Sequence, residues 1–165
     1  IHSSEKVQQP KANSQQPELK YCYKYPHPAV TADCVIFGLD ESNKMKVLLI
    51  QRGNDPYKGK WAFPGGFMEI DETAEQCARR ELEEETGLKD VAVEQFYTFT
   101  DVKRDPRERV ITVAHYALVK LSEVKANDDA DDAQWFSLDE IPPLAFDHEE
   151  ILNKALQTLK ERKKL

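Results

Sequence analysis

Glu81, Glu84 and Glu85 stand three and four residues apart beside Arg80, in the stretch GFMEIDETAEQCARRELEEETGL that runs from Gly66 to Leu88. Residues at those spacings share one face of an α-helix, so the carboxylates converge if the stretch is helical. The ends of such a helix are written in the sequence. Thr73 followed by Gln76 forms a capping box, and Gly87 can take the left-handed conformation that stops a helix. At about 100° per residue, Cys77, Ala78 and Leu82 line a small apolar stripe, Glu81 and Glu85 fall inside it, and Glu84 lies beside it. Arg79 and Glu83 fall on the opposite, outer side. A glutamate-rich helix is ordinarily a solvated face laced with i,i+4 ion pairs. Carboxylates on an inward arc instead repel one another and lose hydration unless a cation lies among them. Hard divalent ions with oxygen ligands, Mg²⁺ or Mn²⁺, are the natural neutraliser.

The stretch resembles the Nudix box of hydrolases that act on nucleoside diphosphates linked to another moiety, G-x5-E-x7-R-E-U-x-E-E-x-G-U with U aliphatic. Gly66, Glu72, Arg80, Glu81, Leu82, Glu84, Glu85, Gly87 and Leu88 fill every specified position. Hydrolysing a pyrophosphate means water attacking phosphorus while negative charge gathers on the departing phosphate. Metal ions help by ligating phosphate oxygens and acidifying bound water. The resemblance implies that Glu81, Glu84 and Glu85 hold the ions, with the Gly66 carbonyl as a further ligand. Arg80, next to the arc, would orient the glutamates through charge-assisted bonds. Glu72, ahead of the helix, would be structural or a partner of those ligands. In the family a general base often comes from a loop outside the box. Glu108, Asp131, Asp132 and Glu149 are the candidates here, with a mechanism that needs no dedicated base as the alternative.

Several further residues could meet a substrate. Arg52, after a strand and before the glycine turn, suits a phosphate contact or a surface ion pair. Arg104 and Arg107 could reach an anion, in their own or a neighbouring subunit, or simply solvate their loop. Phe99 and Tyr97 could stack on a base, although alternating apolar positions in a strand more often face a core. His115, among Val113, Ala114 and Tyr116, reads as a satisfied sheet histidine; His148 is left open.

The surrounding elements must position this helix. Val30–Leu39 is β-branched-rich and reads as a buried strand, and Lys46–Gln51 is its hairpin partner across a turn at 40–43. Trp61–Phe63 is a short strand leading into Pro64-Gly65-Gly66, where glycine lets backbone approach a ligand or metal closely. Residues 91–100 and 110–121 read as two more strands flanking the charged loop DVKRDPRER, and Gln134–Phe136 as a last one. Ser137 can cap a short turn toward Ile141. From Asp147, the spacing of Ile151, Leu152, Ala155, Leu156 and Leu159 indicates an amphipathic helix whose basic end complements its dipole. Tyr21, Tyr23 and Tyr25 alternate with Cys22 and Lys24 like a short strand with one aromatic face. Residues 1–20 are rich in Gln, Ser, Lys and Pro, and read as an arm that is flexible or packed on a partner, which favours a homodimer. The expected class is α+β: a Nudix-type three-layer α/β/α sandwich with a mixed β-sheet, occupying residues 21–165.

The 165 residues suffice for one domain with a proper core. Thirty acidic residues against 23 basic ones give a net charge of −7, which argues against sequence-independent nucleic-acid binding. An anionic nucleotide-type small molecule remains compatible if metal and local arginines offset the repulsion. No apolar run reaches the roughly 18 residues of a membrane span, and no signal-peptide core is visible. The chain opens on Ile1 rather than Met, which leaves a removed leader open. Cys22, Cys34 and Cys77 lack metal-ligand spacing, suit reduced thiols in a cytoplasm, and leave Cys77 as a small core residue.

Within the family, VTADCVIF, KRDPRERVITVAHYAL and LAFDHEEIL resemble small bacterial ADP-ribose pyrophosphatases, with Pro106 matching their spacing only loosely. The SQPWPFPxS motif of NADH pyrophosphatases does not follow the box. The resemblance therefore implies hydrolysis of ADP-ribose to AMP and ribose 5-phosphate. The alternatives are a housecleaning hydrolase of oxidised nucleoside triphosphates or another NDP-sugar, and a non-catalytic nucleotide sensor. Nudix-related transcription regulators carry a winged-helix domain after this stretch, and the length of the chain favours the enzyme.

Overall fold

The computed structural model describes residues 21–121 and 132–163. Strands β1 (Ala29–Leu39), β2 (Met45–Gln51), β3 (Trp61–Ala62) and β4 (Gly65–Phe67) precede helix α1 (Ala74–Thr86). Then come β5 (Glu94–Phe99), β6 (Val110–Lys120), β7 (Ala133–Ser137), a 3₁₀ turn at Leu138–Glu140 and helix α2 (His148–Lys163). They form a mixed sheet in the order β3-β2-β1-β6-β5, with β4 also on β1 and β7 also on β2. Among the named strands of the described residues, β1 and β6 alone pair in parallel, in an unbroken register from Ala29 opposite Val110 to Leu39 opposite Lys120.

The two-residue period of β1 builds the layers. Ala32, Cys34 and Ile36 pack with Cys77, Ala78 and Leu82 of α1. Val35 and Phe37 face the other way, onto Ile151, Leu152, Ala155 and Leu159 of α2. Each fully buried side chain such as Leu82 or Ile151 stabilises the sandwich by about 2 kcal/mol. This is the Nudix α+β sandwich.

One edge of β1 is shared between two partners, and the site depends on it. Residues 37–39 pair with β2, whereas residues 31–33 pair with β4. The single stretch WAFPGGF crosses between them, since Trp61 and Ala62 bond to β2 while Gly65–Phe67 bond to β1. The cleft described below opens at this fork.

α1 begins and ends as its caps require. Thr73 Oγ1 accepts from the Gln76 N–H at 3.1 Å, and Gln76 Oε1 accepts from the Thr73 N–H at 2.8 Å. Gly87 stands at φ 77° and its N–H reaches the Glu83 carbonyl at 2.8 Å.

Three expectations need correction. Residues 21–25 form no strand; Tyr21, Tyr23 and Tyr25 are exposed, and Tyr23 stacks instead on His27 at 4.2 Å. β5 starts at Glu94 rather than 91, because Val91 and Val93 are buried in the α1-side core outside the ladder. Ser137 makes no side-chain capping bond. The arm at 1–20 and most of the acidic loop at 127–132, Asp131 included, lie outside the described residues.

Candidate active site

Arg80, midway along the box helix, gathers three of the carboxylates around it. Its Nη2 and Nε donate to both oxygens of Glu72 at 2.6 and 2.9 Å, and its Nη1 donates to Glu81 at 2.7 Å and Glu84 at 3.3 Å. Nη2 also reaches the Phe67 carbonyl at 3.2 Å, tying α1 to β4. The Arg80 bonds hold the Glu72 carboxyl down to about 2.

Glu85 has the opposite setting. Its Oε1 accepts from the Gly65 N–H at 3.0 Å. Burial pushes its carboxyl up to about 8 against that bond, and Glu81 and Asp33 add to the rise. A Cβ at Gly66 would come within 2.5 to 2.7 Å of the Glu81 carboxylate, so glycine is what lets that carboxylate lie against β4. The Gly66 carbonyl accepts a weak bond from Cys77 Sγ at 3.5 Å.

Among the described residues no three His, Cys, Asp or Glu side chains are already gathered as a metal nest. The donor set still fits a hard divalent ion. Glu81 and Glu85 line one cleft, and one of them is burdened by burial and like charge, the condition a cation relieves. Glu84 is outside the cleft lining, 58% exposed and turned to Arg80, so a change of rotamer would be needed to bring it in.

The cleft holds about 430 Å³. Besides Arg80, Glu81 and Glu85 it is lined by Arg52, Arg104, Asp105, Arg107 and Phe146, and by Asp33 and His148. Asp33 is buried in β1, where its Oδ2 accepts from the Thr112 hydroxyl at 2.6 Å. His148 Nδ1 accepts from the Phe63 N–H at 3.1 Å, which places the proton of the neutral ring on Nε2, 4.0 Å from Asp33. Burial lowers the His148 pKa and keeps the ring neutral.

The three arginines differ in what they hold. Arg104 is locked to Asp147 by two bonds of 2.9 and 2.7 Å, fastening the β5–β6 loop to the start of α2. Arg107 is braced by Asp105 at 3.0 and 2.7 Å. Arg52 engages only Nε, on the Pro56 carbonyl at 2.7 Å.

All three arginines thus line the cleft from their own chain. Phe99 does not; it is buried in the α2-side core, because its phase in β5 points it inward. Tyr97 stands on the same α2-facing side, its ring 4.9 Å from that of Phe99, but is 46% exposed at the edge beneath the Lys154 ammonium, 4.8 Å from its ring centre. Glu108, Asp132 and Glu149 are exposed and outside the cleft lining, so these three suggested bases are not gathered there. His115 is a sheet histidine bonded at 3.0 Å to the Val113 carbonyl. Asp33, Asp105, Phe67 and Phe146 line the cleft and were not singled out by the sequence reading. Asp33 offered a signal, a charge inside the apolar run VTADCVIF.

The NUDIX domain family model matches residues 27–157. The chain belongs to the NUDIX family. Nudix hydrolases generally use divalent metal ions, in keeping with the carboxylates of the box. Among similar proteins is the ADP-ribose pyrophosphatase of Methanocaldococcus jannaschii, 44% identical over 82% of this chain and 77% of that protein. The ADPR responsive transcriptional repressor NtrR of Acinetobacter baylyi is 36% identical over 84% of this chain, which spans only 57% of that protein. Among solved structures, the NUDIX domain of Shewanella oneidensis NrtR complexed with ADP ribose superposes with a TM-score of 0.73. It is 34% identical, over 82% of this chain and 90% of that one. With an intact box, this Nudix chain is a pyrophosphohydrolase by family and by likeness to the first relative.

Proposed function

We propose that the protein hydrolyses ADP-ribose to AMP and ribose 5-phosphate with a divalent ion held by Glu81, Glu85 and, after rotation, Glu84. The observation that carries this reading is one cleft lined both by the carboxylates of Glu81 and Glu85 and by the guanidiniums of Arg52 and Arg107. A bound ion would supply Lewis acidity toward phosphate oxygens and water, with Mg²⁺ as the expected ion and Mn²⁺ as a substitute. Arg80 holds Glu81 and Glu84 in place, Glu72 anchors Arg80, and Gly66 gives Glu81 its room. Arg52 and Arg107 bind the diphosphate and balance charge on the leaving phosphate. The 44% identical relative named as an ADP-ribose pyrophosphatase supports this substrate.

A sensing role is the second reading, favoured by the likeness to a repressor and to a domain solved with ADP ribose. The cytoplasm suits the free cysteines, and no helix among the described residues is long and apolar enough to cross a membrane. The homodimer rests on the sequence of the arm and is read by light scattering.

The test is product release from ADP-ribose, NADH, ADP-glucose, Ap4A and 8-oxo-dGTP, with Mg²⁺ and with EDTA. Preferred, EDTA-sensitive turnover of ADP-ribose supports the proposal. Faster metal-dependent turnover of another compound replaces the substrate. Saturable ADP-ribose binding without turnover makes the chain a sensor.

A further inference from the structure

Phe146 sits on the segment entering α2 at φ 52°, in the left-handed region that side chains rarely adopt. Its ring is held edge-on by Tyr57, centroids 4.8 Å apart, and lies against the His148 ring at 5.6 Å. Two guanidiniums from different loops gather on this one ring. Arg52 lies 4.9 Å from its centroid and Arg107 5.4 Å, with Arg107 sandwiched against the Phe67 ring at 5.1 Å as well. Two cations brought to one site inside a cleft repel each other, and an aromatic face offsets only part of that repulsion.

From this geometry we propose that Phe146 is a positioning residue: its ring aims Arg52 and Arg107 as a two-armed clamp on the diphosphate of the substrate. The inference rests on the ADP-ribose reading above and deepens it. The bonds already made leave hydrogens to give. Arg52 uses only Nε on Pro56, and Arg107 uses Nε and Nη2 on Asp105, so Nη1 and Nη2 of Arg52 and Nη1 of Arg107 have no protein acceptor among the described residues. The ring itself is covered by the guanidiniums, so a nucleobase stacking on Phe146 would have to displace one of them. Asp105 sets the Arg107 arm, and the Arg104–Asp147 pair fixes both the loop that carries it and the residue after Phe146. A dianionic group in the cleft would meet the free guanidinium hydrogens of Arg52 and Arg107 beside this ring. The clamp therefore selects for the anion rather than for the base.

The experiment uses the full chain, with inorganic pyrophosphate in EDTA as the binding probe and ADP-ribose with Mg²⁺ as the kinetic one. F146L keeps apolar bulk and removes the π face; F146Y restores it. The expected result is about tenfold weaker pyrophosphate binding in F146L, a similar rise in KM with kcat changed less than about threefold, and recovery of both in F146Y. R52Q should weaken pyrophosphate at least as much, while F146L and R52Q keep the wild-type far-UV spectrum. Unchanged pyrophosphate binding in F146L would overturn the clamp, as would equal loss in F146L and F146Y. Wild-type protein that hydrolyses ADP-ribose yet never binds pyrophosphate also overturns it and leaves the function standing. Wild-type protein that binds pyrophosphate through Phe146 but turns over no ADP-ribose keeps the clamp and removes the function.

Discussion

Replacing Arg104 with Met should destabilise the protein by about 2–4 kcal/mol, because the pair it forms with Asp147 is both bidentate and buried. The two side chains are 4% and 12% exposed, and removing one partner of such a pair costs about 3–5 kcal/mol by stranding the other charge. Asp147 is not wholly stranded. It stands at the start of α2, where its carbonyl already accepts from the Glu150 and Ile151 N–H groups, and a helix N-terminus favours a negative charge by about 0.3–1 kcal/mol. Methionine retains the apolar stem, so the packing lost is small. A protein of this size loses about 2–4 °C of Tm per kcal/mol, which makes the expected drop roughly 5–15 °C. Urea and thermal unfolding in EDTA at pH 7 measure it. The double variant R104M/D147L should recover at least half of the loss, since it leaves no buried charge behind. A loss below about 1 kcal/mol with unchanged cooperativity would refute the reasoning. A large rise in KM without loss of stability would instead make Arg104 a direct contact of the substrate.

Three further outcomes follow from the site. E85Q and E84Q should each lower turnover by at least about 100-fold while keeping the fold, since the amide oxygen that E85Q introduces can still accept from the Gly65 N–H; full activity in both would sink the metal site. G66A should fold, because its Cβ meets only the movable end of Glu81, yet the displaced carboxylate should cost on the order of 100-fold in kcat, and a fully active G66A would contradict the placement of Glu81. Burial lowers the pKa of His148, so the unfolded chain takes up the proton first. The stability that neutral His148 contributes is complete above about pH 6.5 and lost as pH falls below it. Asn offers a similar acceptor to the Phe63 N–H without titrating. The Tm difference between wild type and H148N should therefore shift against wild type from pH 7 to 5, and a constant difference would exclude this linkage.

What was legible in the sequence divides along physical lines. α1 was readable to the residue, since its start, stop and inward face depend on contacts within four residues, the Thr73–Gln76 box, Gly87 and the Cys77, Ala78, Leu82 stripe. The layers followed from one mixed sheet with a central and a terminal amphipathic helix to cover its two faces. The fork in β1 was not readable, because Gly65–Phe67 is too short for a periodic signal and pairs with residues 31–33, far away in the chain. That one pairing decides much of the site. It brings the Gly65 N–H to Glu85 and sets Gly66 beside Glu81. The arginines were legible as candidates, but not their convergence on one cleft. Arg107 in its loop looked like solvated charge, and only the bond of its neighbour Arg104 to Asp147, 43 residues on, turns that loop inward. Phe146 lacked even a compositional signal, because its role follows from a left-handed φ and from cations gathered by two different loops. The carboxylate set is encoded locally and the arginine set by tertiary pairing. Substitutions in the first should therefore change kcat with the fold intact, whereas substitutions in the second should change KM and stability together.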